Sequence, residues 1–489
     1  MTQLFSWEGI AALLLGGLYG AVFGAIPGLT ATLAVALFIP MAFFLDPMIA
    51  LPAIIAISSV AIFAGDVGAA IVRIPGTPAS AAYTEELYAI SQRRGPMYAL
   101  GISAIGSSVG GIIGTLILVA SATGIASVTK QFASFEYFWI AVLGLTAGVF
   151  ASGDSPLKGA VSLLIGLLLA TVGVDPTMGY PRFDFGSFNL LSGLNYIVVM
   201  IGLFGFSEVL ENLYRRKADT SGETISPDHS PRKFFLESLL LIGKEKWLVL
   251  RSSLIGVFIG FLPGAGADIA AWVSSSIQKL RGKNTLQDEK VVLSGTTSNN
   301  AAVAGAWIPA LALGLPGDTI TAIILGVFMM KGITPGPLLF QEQPDLIGSL
   351  YLTFLISNVV LLPFYGYLLA RMAAVITRLP VPVMMSIIAG ICVIGAYAIN
   401  NNPADIWIML SAGVLAFTLK RAGFPLAQIV LGMVLGPIME THFMMSAIKS
   451  QWNIWAFFNR PIALVFMALT ILLVVAGFMA RKKFLRSKG

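Results

Sequence analysis

The chain has 489 residues, of which 57% are hydrophobic and only 11% charged, with 51 glycines and 25 prolines. A water-soluble domain carries about 25% charged residues, so this composition excludes one and reads as a polytopic helical membrane protein. The net charge of +6 sits in short Lys/Arg clusters between apolar runs, with no basic stripe interleaved with aromatics, which argues for cytoplasmic loops and against nucleic-acid binding.

From the N-terminus, no Lys or Arg precedes the first apolar run, which argues against a cleaved signal peptide. Apolar stretches near 8–26, 30–45, 49–72, 98–122, 135–151, 157–174 and 194–213 form a first transmembrane half, residues 1–213. Residues 214–246, with Arg215-Arg216-Lys217, Arg232-Lys233, Lys244, Pro227 and Pro231, read as a cytoplasmic linker. Further stretches near 247–262, 265–280, 299–315, 318–331, 346–370, 380–399, 404–419, 423–439 and 460–480 form a second half, residues 247–489, that ends in the basic tail Arg481-Lys482-Lys483. The expected fold is all-α and embedded in a lipid bilayer, with about 11 or 12 crossings and some re-entrant pieces. Cys392 is the single cysteine and lies in an apolar segment, which excludes an internal disulfide or a multi-cysteine metal site.

The two halves share a motif. Gly20, Gly24, Pro27, Gly28, Ala31 and Ala34 recur as Gly256, Gly260, Pro263, Gly264, Ala267 and Ala270, a constant separation of 236 residues. A second pair follows in the same order: Ile74-Pro75-Gly76-Thr77-Pro78 and Leu315-Pro316-Gly317-Asp318-Thr319, separated by 241. The N-terminal segment lacks positive charge while the second copy begins after Lys246, so the repeats read as inverted, with Pro-Gly-interrupted helices of the kind secondary transporters use. The rival reading is duplicated helices that merely pack, since Gly20 and Gly24 have the GxxxG spacing.

A helix that stops at a Pro-Gly break leaves unpaired backbone groups, and a helix restarting just after Gly28 or Gly264 aims free N–H groups at the break, which favours an anion such as a carboxylate. The expected substrate contacts are Gly28, Thr30, Thr32, Arg73, Gly76 and Thr77 from the first half and Gly264, Gly266, Gly317 and Thr319 from the second; Ser80 and Thr321 add hydroxyls. Charged groups inside apolar segments cost at least about 2.5–3.5 kcal/mol unless paired or facing a cavity, which singles out Asp66, Arg73, Asp268 and Asp318. Asp66 and Arg73, seven residues apart, would share one face of a continuous helix. Asp66, Asp268, Asp318, Asn299 and Asn300 are the candidates for ion coupling, with Na⁺ placed near Asp268 and Asn300. Ser298-Asn299-Asn300 reads equally as the cap that opens a helix. Glu8, Asp46, Glu136 and Glu208 fall near predicted ends and are expected to be solvated, and His442 sits by a late Gly-Pro turn. No paired-carboxylate site, nucleotide loop or metal-ligand spacing suggests an enzyme, and no organic cofactor is expected.

The segments Gly24–Leu33, Ile74–Ala81, Gly260–Ala271, Asn299–Ala310 with Leu315-Pro316-Gly317, Gly332–Phe340 and Gly423–Glu440 resemble the large membrane subunit of the tripartite tricarboxylate transporters, the TctA family. The resemblance runs nearly end to end. It implies a symporter in the bacterial inner membrane that imports tri- or dicarboxylates on a Na⁺ or H⁺ gradient. It also implies a small TctB-like membrane subunit and a periplasmic TctC-like solute-binding protein as partners, and leaves a homo-oligomer open. Arg73 stands where the family has Asn, Asp268 where it has Thr, and Thr296 where it has Glu, which points to an altered anion or ion site. The alternative is a passive anion channel or a non-transporting membrane scaffold, neither of which accumulates solute.

Overall fold

A computed structural model describes the chain except for residues 1, 27–28, 130–131, 151–154, 176, 215–229, 263–265, 282–286, 377–380 and 489. The first half comprises α1 (Trp7–Ala25), α2 (Ala31–Phe44), α3 (Pro47–Ala64), α4 (Asp66–Val72), α5 (Thr84–Arg94), α6 (Pro96–Thr129), α7 (Ser134–Phe150), α8 (Pro156–Ala170) and α9 (Tyr196–Tyr214). The second comprises α10 (Lys246–Phe261), α11 (Gly266–Lys279), α12 (Gln287–Leu313), α13 (Thr319–Met330), α14 (Pro344–Ala373), α15 (Val381–Asn400), α16 (Pro403–Arg421), α17 (Ala427–Lys449) and α18 (Pro461–Lys488). Among the described residues seven helices are long and apolar enough to cross a membrane, and six shorter apolar helices accompany them. The protein is therefore an all-α, multi-pass membrane protein; its one described sheet pairs Gly173–Val174 with Pro181–Arg182.

The repeated residues make repeated contacts. In the first half α1 lies on α3 so closely that a Cβ on Gly20 or Gly24 would sit 2.4 or 2.3 Å from the Ile57 or Ala61 carbonyl oxygen. In the second, α10 lies on α12, and a Cβ on Gly256 or Gly260 would sit 2.3 or 2.2 Å from the Ser298 or Ala302 oxygen. All four pairs keep the two separations seen in the sequence. The duplication reaches single hydrogen bonds. Ile74 N–H donates to Gly68 O at 3.3 Å and Leu315 N–H to Pro309 O at 3.2 Å, each closing a helix on a left-handed residue, Arg73 (φ 57°) and Gly314 (φ 70°). Just beyond, Thr77 and Ser80 exchange backbone-to-hydroxyl bonds of 3.1 Å, and at the equivalent place Asp318 N–H donates to the Thr321 hydroxyl at 2.9 Å while Thr321 N–H donates to the Asp318 carboxylate at 2.7 Å.

Four expectations change. Asn299 and Asn300 do not open a helix: α12 begins at Gln287, and its polar stretch is buried, with Ser294 bonded to the Ser252 and Ser274 hydroxyls. The end of the expected linker is helical from Lys233 to Lys244, and Phe234 is fully buried where Gly101 of α6 lets the backbones meet. Glu136 is buried instead of facing solvent, its carboxylate accepting the Arg460 Nε–H at 2.5 Å and the Ala133 N–H at 2.7 Å. Gly436-Pro437 lies within α17, where His442 stacks on Tyr137. The basic linker residues 215–217 fall outside the described residues.

Candidate substrate site

A cavity of about 580 Å³ opens where the breaks of both halves meet. Its wall contains Thr30 and Thr32 from the first break, Thr77 from the second, Gly266 and Asp268 from the third, and Asp318 and Thr319 from the fourth, with Asn299 at its side. Three helices begin there. Thr30 caps α2, its hydroxyl accepting the Leu33 N–H at 3.2 Å; α11 begins at Gly266; Asp318 caps α13, accepting the Thr321 N–H and hydroxyl at 2.7 Å each. Their first-turn N–H groups and positive dipole ends face one space, an arrangement that attracts anions. The hydroxyls of Thr30 and Thr321 are spent on these caps and that of Thr77 on the Ser80 N–H; those of Thr32 and Thr319 have no side-chain partner among the described residues.

The third break is held by close packing. Gly266 takes φ 71°, a conformation few side chains adopt, and a Cβ there would stand 3.3 Å from the Asp318 Cβ. Asp268 accepts the Ala79 N–H at 3.0 Å, and Trp272 Nε1 donates to Pro78 O at 2.9 Å, so α11 of the second half grips the break loop of the first.

Several expected contacts stand elsewhere. Gly28 and Gly264 fall outside the described residues. Gly76 and Gly317 lie behind the wall, where a Cβ would meet the Gly65 backbone or the Ala306 and Gly260 backbones within 2.6 Å. Asp66 and Arg73 do not share a face, because the helix ends at Arg73 in the left-handed turn. Asp66 is 1% exposed and accepts the Tyr83 hydroxyl at 3.0 Å and the Ser103 hydroxyl. Arg73 points outward in a bidentate pair with Glu85, whose carboxyl its guanidinium holds below the usual range. Both partners are well exposed, so Arg73→Ala should leave solute uptake within about twofold of wild type. In contrast, Asp66→Leu strands two buried hydroxyls, and thermal unfolding should show a loss of about 1–3 kcal/mol.

Lys420 escapes a reading of the sequence, and Glu208, expected to be solvated, is instead half-buried in the wall. Lys420 and Glu208 face each other at 2.7 Å at one end of the cavity, and Lys420 is the only cationic residue in the described wall. Both sit at ends of apolar runs, where charge ordinarily marks the membrane boundary. What turns Lys420 inward is the packing of α16 on α9, where a Cβ on Gly202 would lie 2.3 Å from the Met409 oxygen; Arg421 turns outward over the Tyr214 ring at 3.7 Å.

Residues 10–431 match the family model described as the tripartite tricarboxylate transporter TctA family. This chain belongs to the TctA family. TctA proteins are components of a three-part tricarboxylate transporter and not enzymes, so the cavity is a candidate for solute passage and not for chemistry. One curated relative, an uncharacterized 52.8 kDa protein in the TAR-I ttuC′ 3′ region of Agrobacterium vitis, is 32% identical over 488 residues, 97% of this chain and 94% of that protein. Another, from the TAR-II ttuC′ 3′ region of Agrobacterium vitis, is 33% identical over 232 residues, 46% of this chain and 94% of its own length. No solved structure matches this TctA chain.

Proposed function

We propose that this chain is the translocating subunit of a bacterial inner-membrane system that imports di- or tricarboxylates by alternating access, driven by a Na⁺ or H⁺ gradient. The observation that carries the reading is the convergence of all four break segments, two from each half, on one cavity. A carboxylate there meets the N-termini of α2 and α11 and the Lys420 ammonium, while Asp268 and Asp318 offer negative charge to a coupling cation or proton.

An inverted relation between the halves would suit the alternating role, and two contacts support it. Lys331 at the end of α13 donates to the Phe43 and Leu45 carbonyls at the end of α2, whereas Lys279 at the end of α11 pairs with Glu86 of α5 at 2.7 Å. These contacts are repeat equivalents. Along the chain near the α5–α11 one, Arg93, Arg94 and Lys290 pair with Asp288, Glu237 and Glu245, and Lys244, Lys246 and Arg281 stand within a few residues in sequence of these groups, the density of positive charge expected of a cytoplasmic face. Lys420 and Glu208 lie near the end of α9 that leads into the basic linker, so with that linker in the cytoplasm the cavity would be reached from the cytoplasm in this conformation. Substrate would arrive from a periplasmic binding protein, with a small membrane subunit completing the assembly, as the tripartite description of the family suggests.

The test is uptake of labelled citrate and dicarboxylates into vesicles containing the chain and its partner subunits under an imposed Na⁺ or pH gradient. Accumulation above equilibrium under one gradient, lost in Asp268→Asn, is the expected result. Equilibration without accumulation under both gradients would instead identify a passive anion pore.

A further inference from the structure

Ser59 of α3 and Asn300 of α12 are repeat equivalents, 241 residues apart like Ala61 and Ala302. They also touch: Asn300 Nδ2 donates to Ser59 O at 3.4 Å. Equivalent positions meet only near the axis that relates the halves, so this crossing lies at the centre of the interface between them. Among the described residues three side-chain oxygens there have no partner: Ser59 Oγ, Asn299 Oδ1 and Asn300 Oδ1, on residues only 1%, 2% and 3% exposed. A buried acceptor without a donor is costly, and three on neighbouring positions call for a shared partner. The oxygens are neutral and hard, and among the described residues no cluster of three His, Cys, Asp or Glu offers transition-metal ligands. Negative charge is close by. Asp66 lies two turns along from Ser59 and is bonded only to hydroxyls, with no cationic partner among the described residues, and Asn299 reaches the cavity wall that holds Asp268 and Asp318.

We propose that Ser59 Oγ, Asn299 Oδ1 and Asn300 Oδ1 are ligands of a bound Na⁺ ion at the crossing of α3 and α12. The site deepens the transport reading on which its coupling role rests: it moves the ion from the Asp268 carboxylate to the interface between the halves, where its occupancy changes when they move. Asn299 connects the ion to the substrate cavity.

Thermal unfolding of the purified full-length chain, in NaCl, KCl or choline chloride at equal ionic strength and without substrate, tests the site directly. An ion that binds only the folded protein raises the midpoint with concentration. Wild type should show a saturable rise specific to NaCl. Ser59→Ala and Asn300→Ala should raise the half-saturating Na⁺ concentration about tenfold or more, while Arg73→Ala, which breaks an exposed pair away from the crossing, keeps the wild-type response. No NaCl-specific rise in wild type, or an unchanged dose response in both alanine variants, overturns the proposal; if either variant fails to fold, the wild-type comparison of NaCl with KCl still decides. Accumulation driven by a pH gradient in Na⁺-free buffer would overturn the coupling role alone and leave carboxylate transport standing.

Discussion

Lys420→Met should raise the KM for di- or tricarboxylate uptake about 10-fold or more while leaving the protein folded and inserted. A hydrogen bond to a charged group contributes about 1.5–3 kcal/mol, or roughly 10- to 150-fold in affinity. The Lys420 side chain is 40% exposed, so solvent screening places the effect toward the lower figure. Lys420 is also the only cation in the described wall, so no neighbour compensates. Glu208 sharpens the test. Its carboxylate, 2.7 Å from the Lys420 ammonium, occupies the place a substrate carboxylate would take. Glu208→Gln should therefore lower KM, and Lys420→Arg should restore part of the uptake lost in Lys420→Met. Kinetics of labelled uptake, with insertion verified for each variant, give the answer. An unchanged KM in Lys420→Met would place the anion at the helix N-termini alone.

Most helices were legible because an apolar run long enough to cross a membrane has few other fates, and the breaks were legible because Pro-Gly inside such a run has no ordinary packing role. What hydropathy could not show is polar residues buried between helices. The polar stretch before Asn299 falls between the apolar runs 265–280 and 299–315, yet Ser294, Thr296, Thr297 and Ser298 are all fully buried in α12. The reverse holds for α5: Glu85, Glu86, Arg93 and Arg94 hide a short helix that inserts Leu87 and Ile90 fully into the core. Within the site, Thr30, Thr77, Asp268 and Asp318 could be named in advance because each follows a break. Lys420 and Arg421 could not be told apart, since only the face that α16 turns toward α9 separates one from the other.

The largest loss of folding is expected at Gly260. A Cβ there would stand 2.2 Å from the Ala302 oxygen of α12 and 2.9 Å from the Ala302 carbonyl carbon and Cα. All three atoms are backbone, so no rotamer change relieves the clash, and α10 must move away from α12. Overpacking of this kind costs about 1–3 kcal/mol or more. Gly260→Val should therefore unfold at a clearly lower temperature or fail to accumulate in the membrane, and Gly24→Val, its repeat equivalent, should behave the same way. Gly390 of α15 supplies the contrast: nothing stands within 4 Å of a Cβ there, and Gly390→Ala should stabilise by about 0.5–1 kcal/mol through helix propensity. Thermal unfolding of the three variants in one detergent makes the comparison. Wild-type stability in Gly260→Val would mean that α10 and α12 are not in backbone contact. The consequence reaches the cavity, because α10 leads into the third break and α12 into the fourth. Spreading them separates Gly266 from Asp318, so a partly folded Gly260→Ala protein should lose solute accumulation before it loses its fold.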